Sequence, residues 1–265
     1  MPTSIFHKLS RYVQDTCGIQ LPIEKKTMVE GRIRKRMKAL GISDFTDYYR
    51  LAFDHKRNNY ELVHMVDALT TNKTHFFRES AHFEYLQNNL VSSQGTVNAW
   101  SAGCSSGEEV YTLAIVLSNI LREGRINNFK IVGSDISTKV LQTAAQAVYP
   151  ESAIDGLPLT IKKRYFLRSK DRMNKTVKIS SGIREKVQFQ KLNLMDNIYR
   201  FPFSFDIIFC RNVLIYFNKT KQSEVIAKLT TNLCVGGLLF LGHSESLPAL
   251  DDNLIQIQPT IYQRR

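Results

Sequence analysis

Through the first 70 residues, apolar side chains recur at helical spacing and no stretch alternates as a strand would. Ile5, Leu9, Tyr12 and Val13 share one face of a first helix that stops at Gly18. Pro22 opens a second helix carrying Met28, Ile33, Met37 and Leu40, with Gly41 past its end. Ser43 and Asp44 stand where a cap is needed ahead of Phe45, Tyr48, Tyr49 and Leu51. A fourth helix is expected through Tyr60, Leu62, Val63, Met65, Val66 and Leu69.

From about residue 95 short β-rich apolar runs alternate with amphipathic stretches. Thr96–Ala102 and Phe129–Ser134 predict strands, followed by helices over Glu108–Leu121 and Lys139–Val148. Val187–Leu192, Phe205–Cys210 and Leu238–Gly242 predict further strands, with a helix over Thr220–Cys234 between the last two. Such alternation implies βαβ units and a parallel sheet covered by helices, so the fold class is α/β and Rossmann-like. Leu254–Tyr262 alternates and follows a strand with no helix between, which suggests an antiparallel strand. Ile161–Ser181 is rich in lysine and arginine and breaks the alternation, as an insertion would.

Composition refines this only in places. The 43% apolar content supports a full core, and the 23% charged content is ordinary. No apolar run approaches the ~20 residues of a membrane span, and Met1–Leu21 mixes His7, Lys8, Arg11 and Asp15 with its apolar residues, unlike a signal peptide. A soluble cytoplasmic protein is expected. Cys17, Cys104, Cys210 and Cys234 are scattered with no C-x-x-C spacing, so neither a zinc site nor a disulfide framework is expected, and no metal. The net charge of +12 changes the picture more: it calls for an acidic partner, whether nucleic acid, membrane surface or protein.

The first predicted strand runs into Gly103-Cys104-Ser105-Ser106-Gly107-Glu108-Glu109, small residues that let backbone approach a ligand. A dinucleotide site would present helix amides to a pyrophosphate there. Glu108 and Glu109 in the first helical turn would repel phosphate and suit an ammonium group; taken alone they are equally ordinary carboxylates favoured by the helix dipole. Asp135 ends the next strand, where Rossmann-like folds place a carboxylate on ribose hydroxyls, although an N-capping role reads as well there. Together these features fit adenosine carrying a charged methionine tail.

Further segments complete a pattern: Thr70-Thr71-Asn72-Lys73-Thr74-His75-Phe76-Phe77-Arg78-Glu79, Trp100-Ser101-Ala102 leading to Ser106-Gly107-Glu108-Glu109, Ser134-Asp135-Ile136, Asn193-Leu194, Phe209-Cys210-Arg211-Asn212-Val213-Leu214-Ile215-Tyr216-Phe217 and Gly242-His243-Ser244-Glu245. In this order they resemble the CheR family of chemotaxis receptor methyltransferases across nearly the whole chain. Val110, where the family usually has proline, and Cys104, in a loop of commonly non-thiol residues, depart from it. The resemblance implies a helical substrate-recognition domain over 1–70, an S-adenosylmethionine-dependent methyltransferase domain over 71–265, and a β-subdomain inserted at about 155–187. It implies methyl transfer to glutamate carboxylates of chemotaxis receptors, with S-adenosylhomocysteine as product, by a monomer. By resemblance Asn72, Thr74 and Arg78 lie in a linking segment that closes over the cofactor. One of Glu108 and Glu109, with Glu109 preferred, meets the methionine moiety, and Asp135 the ribose. Asn193 and Leu194 border the adenine, and Arg211 and Asn212 end the fourth strand. Arg78 and Tyr216 are placed near the transferred methyl as catalytic residues.

A glutamate carboxylate is ionised at neutral pH, with an unperturbed pKa of ~4.3, so such a site needs an orienting clamp rather than a general base. Arg78 offers a planar fork and Tyr216 a hydroxyl. An amino-directed nucleic-acid enzyme would carry an Asn/Asp-Pro-Pro-aromatic segment where Arg211-Asn212-Val213-Leu214 stands, so nucleic acid is not the expected partner. A regulatory S-adenosylmethionine-binding protein without turnover remains a competing reading. For the partner, Lys25, Lys26, Arg32, Arg34, Lys35, Arg36 and Lys38 predict a basic stripe on the second helix that docks an acidic helical receptor. The insertion is basic too, through Lys162, Lys163, Arg164, Arg168, Lys170, Arg172, Lys175 and Lys178. Family members that bind a receptor C-terminal pentapeptide tend to carry a glycine-containing loop there, whereas Ser169–Asn174 has no glycine, so no pentapeptide tether is expected.

Overall fold

The computed structural model describes residues 1–54, 60–90, 95–171, 173–247 and 252–265. Helix α1 (Thr3–Cys17) ends at Gly18, whose φ of 72° favours glycine. A 3₁₀ turn, Ile23–Lys25, follows Pro22 and leads into α2 (Lys26–Leu40), closed by Gly41. Asp44 caps α3 (Phe45–Ala52) by accepting from the amides of Thr46 and Asp47. Helix α4 (Tyr60–Leu69) completes the group. The apolar stripes of these helices close on one another, burying Phe6, Leu9, Ile33, Tyr48 and Met65 in a core of their own. An additional helix, α5 (Ser80–Asn89), lies outside the elements expected from sequence; Phe83 and Leu86 bury its inner face.

The second core surrounds a sheet. Its strands and helices in chain order are β1 (Thr96–Ala102), α6 (Glu108–Arg122), β2 (Asn128–Asp135), α7 (Thr138–Gln146), β3 (Val148–Pro150), α8 (Leu159–Tyr165), β4 (Phe166–Arg168), β5 (Thr176–Ile179), α9 (Ser181–Arg184), β6 (Val187–Lys191), β7 (Phe205–Cys210), α10 (Lys219–Asn232), β8 (Leu233–Leu241), β9 (Leu254–Gln258) and β10 (Ile261–Arg264). Seven strands form the main sheet in the order β6-β2-β1-β7-β8-β10-β9. The first five run parallel, and β10 pairs antiparallel with both β8 and β9. β1 is covered on both faces: Val97 and Ala99 face one core, Trp100 and Ala102 the other. The strand order reverses between β1 and β7, where the open-sheet rule places a ligand.

Three expectations need correction. The run Leu254–Tyr262 is not one strand but a hairpin, broken at Pro259 and at Thr260, whose φ is 62°. The predicted helix end and strand start near residues 234–238 are misplaced: β8 begins at Leu233, and the six residues from Leu233 to Leu238 oppose the three from Phe205 to Ile207 on β7, a bulge accommodated by Gly236 and Gly237. Val148, expected at a helix end, opens β3 after Ala147 turns left-handed at φ 56°. It joins a separate antiparallel sheet, β3-β5-β4, so that sheet draws on chain upstream of the expected insertion. Arg172 of the predicted basic set lies outside the described residues.

Candidate functional site

The carboxyl ends of β1, β2, β6 and β7 open on a cleft of about 270 Å³. Gly103 and Ser105 follow β1, Asp135 ends β2, Leu192–Leu194 follow β6, and Arg211–Val213 follow β7. The linking segment supplies Asn72, Thr74 and Arg78, and the N-terminal helices contribute Cys17, Lys25 and Met28. Asn193, Leu194 and Tyr216 line the cleft as well. Of the residues expected to touch the cofactor or the transferred methyl, Glu108 alone is absent from this lining. Its carboxylate instead accepts from the Ser106 hydroxyl at 2.7 Å. The reason is helical: one residue along α6 turns the side chain about 100°, so the cleft takes Glu109 and not its neighbour.

The loop after β1 is bound to β2 through Asp135. One carboxylate oxygen accepts from the Ser105 amide at 2.9 Å, the other from the Ser137 amide at 2.9 Å. Burial raises the pKa of Asp135, and the backbone amides of Ser137 and Ser105 oppose the shift. The N-cap of α7 is Ser137, not Asp135. Gly103 has a φ of 78°, and a Cβ there would lie 2.5 Å from a Val213 methyl, so the β1 and β7 loops touch with only glycine between them.

Residues 72–79 lie over this end of the sheet, and each tie is identifiable. The Ser105 hydroxyl donates to Asn72 O at 2.9 Å, and the Phe77 amide donates to the Thr112 hydroxyl at 3.1 Å. Asn72 donates from its side chain to the Thr70 hydroxyl at 3.2 Å. Arg211, whose side chain is 1% exposed, is the hub beneath. Its Nε donates to Glu109 Oε2 at 2.8 Å, its Nη2 to Arg78 O at 2.8 Å, and its Nη1 to His82 Nδ1 at 2.9 Å. The other Glu109 oxygen accepts from the Ser101 hydroxyl at 2.8 Å.

Sequence reasoning left Glu79, His82 and Glu245 without roles. Glu79 accepts from the side chain of Asn212 at 3.1 Å and pairs with Arg211 at 3.4 Å. Burial pushes the Glu79 pKa up, but Asn212, Arg211 and His243 together leave it below the usual carboxylate range. Glu245 gathers three amides, those of Gly242 at 2.7 Å, Asn212 at 2.8 Å and Ile215 at 3.3 Å. It thereby holds Asn212 in its left-handed conformation at φ 58°. The Gly242-His243-Ser244-Glu245 segment was the signal available, and its purpose is visible only once β7 and β8 lie side by side.

Arg78 differs from Arg211. Its Nη1 donates to Lys73 O at 2.8 Å, and no carboxylate among the described residues is within ion-pair range of it. Tyr216 faces the same cleft, with the Lys25 ammonium 5.9 Å from its ring centroid. The basic stripe on α2 is narrower than its sequence suggests. Arg32 donates to Leu69 O, Thr70 O and the Thr71 hydroxyl, and Arg36 grips Glu61 through two nitrogens. Arg34 pairs with Glu30, and Lys26 donates to the Thr3 hydroxyl. Lys25, Lys35 and Lys38 remain exposed.

A parallel sheet finished by an antiparallel hairpin, with a glycine turn after its first strand and a carboxylate ending its second, defines a Rossmann-like methyltransferase fold. The chain belongs to the CheR methyltransferase family: residues 4–70 match its all-alpha domain and residues 72–263 its SAM binding domain. It is 36% identical over 267 residues to a chemotaxis protein methyltransferase of Borreliella burgdorferi, covering 97% of this chain and 93% of that protein. It is 37% identical over 257 residues to one from Klebsiella aerogenes, covering 97% and 88%. The Escherichia coli protein of the same name is 35% identical over 257 residues, covering 97% and 89%.

The donor set suits S-adenosylmethionine. The ligand is a cation with a diol and a flat base, and the cleft offers two carboxylates, Asp135 and Glu109, beside the apolar Ile136, Leu192 and Leu194. No helix of the described residues is long and apolar enough to cross a membrane.

Proposed function

We propose that this protein is a protein-glutamate O-methyltransferase acting on helical chemotaxis receptors. The observation that carries the reading is the Arg78 guanidinium, which faces the cleft without a carboxylate partner while adjacent Glu79 is committed to Arg211 and Asn212. A cation left in this state beside a ligand cleft suits an incoming carboxylate. Asp135 accepts from the ribose hydroxyls, Glu109 from the cofactor ammonium, and Ile136 and Leu194 flank the base. Bound there, S-adenosylmethionine supplies a methyl group on a sulfonium and leaves as the neutral thioether S-adenosylhomocysteine. Arg78 and the Tyr216 hydroxyl orient the substrate carboxylate so that its oxygen forms the new bond to methyl carbon in line with the carbon–sulfur bond that breaks. That bond's electron pair stays on sulfur, and no proton moves, so no residue is asked to be a base. Alignment is the main contribution such a site makes to rate.

The N-terminal helices recognise the receptor, with Lys25, Lys35 and Lys38 steering its acidic surface. The protein acts as a monomer, and it needs no pentapeptide tether, since the sequence Ser169–Asn174 contains no glycine. Measurable binding of a receptor C-terminal pentapeptide would refute that part. The main test is transfer of labelled methyl from S-adenosylmethionine to receptor cytoplasmic fragments, followed by mild base. Label released as methanol is the expected result, with Arg78→Ala at least about tenfold slower. Label that survives base means a nitrogen or carbon acceptor and overturns the reading.

A further inference from the structure

Behind the cleft, Glu79, His82 and His243 bring ligand atoms within 4.8 Å of one another, as a metal site would. The hydrogen bonds argue otherwise. His82 Nε2 lies 2.8 Å from the Thr260 hydroxyl, which itself donates to Pro259 O at 2.6 Å. With its proton spent there, Thr260 can only accept from His82, so Nε2 carries the hydrogen. Nδ1 is then a bare lone pair, and it accepts from Arg211 Nη1 at 2.9 Å. Both ring nitrogens are used, and a guanidinium stands where a metal would have to approach. The ring also packs in edge-to-face geometry with Phe209, Phe240 and His243.

We infer that His82 is a positioning residue: its neutral, Nε2-protonated ring anchors Arg211 to the β9–β10 turn, and Arg211 in turn aims Glu109 into the cofactor cleft. The geometry has a consistent direction. Thr260 fixes the tautomer, the tautomer supplies one acceptor for Nη1, and a guanidinium so held presents Nε to Glu109 at 2.8 Å. Burial, with the charge of Arg211 next, pushes the His82 pKa down to about 4, so the ring is neutral at physiological pH. The hairpin at the far edge of the sheet thus bears on the first turn of α6 through three side chains.

This inference rests on the reading that Glu109 meets the cofactor, and the experiment separates the two. Calorimetric affinity for S-adenosylhomocysteine is measured on the full chain for His82→Asn, His82→Gln, His82→Leu, Glu109→Gln and the His82→Leu/Glu109→Gln pair, at a temperature where circular dichroism shows each folded. An asparagine oxygen falls near the position of Nδ1 and keeps an acceptor for Arg211, whereas a glutamine amide falls near Nε2 and reaches only Thr260. The expected result is an affinity within about threefold of wild type for His82→Asn and about tenfold weaker for His82→Gln and His82→Leu, the size of coupling usual within one network. The pair is expected to bind no more weakly than Glu109→Gln alone. Wild-type affinity in His82→Leu, equal losses in all three His82 variants, or additive losses in the pair would overturn the positioning role. Wild-type affinity in Glu109→Gln would instead overturn the reading of Glu109 and the inference resting on it.

Discussion

Arg211→Lys tests how the cleft is held. The arginine makes three short bonds in three directions, to Glu109, to His82 and to Arg78 O, with weaker approaches to Glu79 at 3.4 Å. A lysine ammonium has three donors but only one nitrogen, and cannot reach both Glu109 and Arg78 O while touching His82. Two of the short bonds are lost. Hydrogen bonds to charged groups contribute about 1.5–3 kcal/mol each. Glu109 keeps 12% exposure, so water compensates part of the loss, and the lower end applies, about 3 kcal/mol in all. For a chain of this size that lowers the melting temperature by roughly 6–10 °C. Arg211→Ala is expected to cost about 3–5 kcal/mol, because it leaves two carboxylates without their partner. It also removes the cation stacked 5.1 Å from Phe83 and 5.3 Å from Phe209. Thermal melts followed by circular dichroism, with guanidinium titrations alongside, read the loss. Because the pair is shielded from solvent, raising salt to 0.5 M should leave the difference nearly unchanged. An Arg211→Lys protein that melts within about 2 °C of wild type would refute the hub.

Gly103→Ala is expected to cost about 1–3 kcal/mol from its clash with Val213, and Val213→Ala in the same chain should recover the steric part but not the strain of a positive φ; a melt of the double variant no better than the single would contradict this. Asp67 has one buried carboxylate oxygen with no partner, and its charge raises the pKa of Asp135, so Asp67→Asn is expected to stabilise by about 1 kcal/mol, contrary to the usual direction for a buried substitution. A lower melting temperature would show that the oxygen is satisfied by something else. His82 is depressed to about 4 from an unfolded value of 6.5, so the unfolded chain binds the extra proton and stability falls as pH drops from 6.5 towards 4. The loss is at most about 3 kcal/mol, and it should appear as a difference in pH slope between wild type and His82→Asn, which cannot titrate; parallel slopes would count against a neutral buried ring. Lys35→Glu with Lys38→Glu should raise the receptor KM and flatten its salt dependence without altering cofactor affinity, whereas Arg32→Ala should disturb cofactor affinity through the linking segment.

These outcomes follow the division between what a sequence can and cannot express. β1, α6 and β2 were legible almost to the residue because the two strands are short runs buried on both faces and the helix opens directly after Gly107. The start of β8 was not, because Val235, 76% exposed, and the glycine pair break the alternation on which a strand assignment depends. β3 was hidden for another reason: it is three residues long, and its first, Val148, continues the helical pattern that Ala147 breaks by turning left-handed. Charge on α2 was read as surface because arginine usually is, yet Arg32 and Arg36 turn inward to hold the chain before the linking segment and the side of α4. The cleft residues were legible as short motifs, since Gly103, Asp135, Asn193 and Arg211 lie at or just past strand ends that the sheet gathers, and Asn72, Thr74 and Arg78 share one linking segment. What no motif expresses is that Arg211 satisfies the buried polar groups of Glu79 and His82, 132 and 129 residues away in the chain. Burial without such partners costs more than the fold can spare, so the network is as necessary to the cleft as the residues that line it. A search for cleft-lining side chains alone would find Arg211 and Glu109 and overlook Glu79 and His82, which hold Arg211 in place.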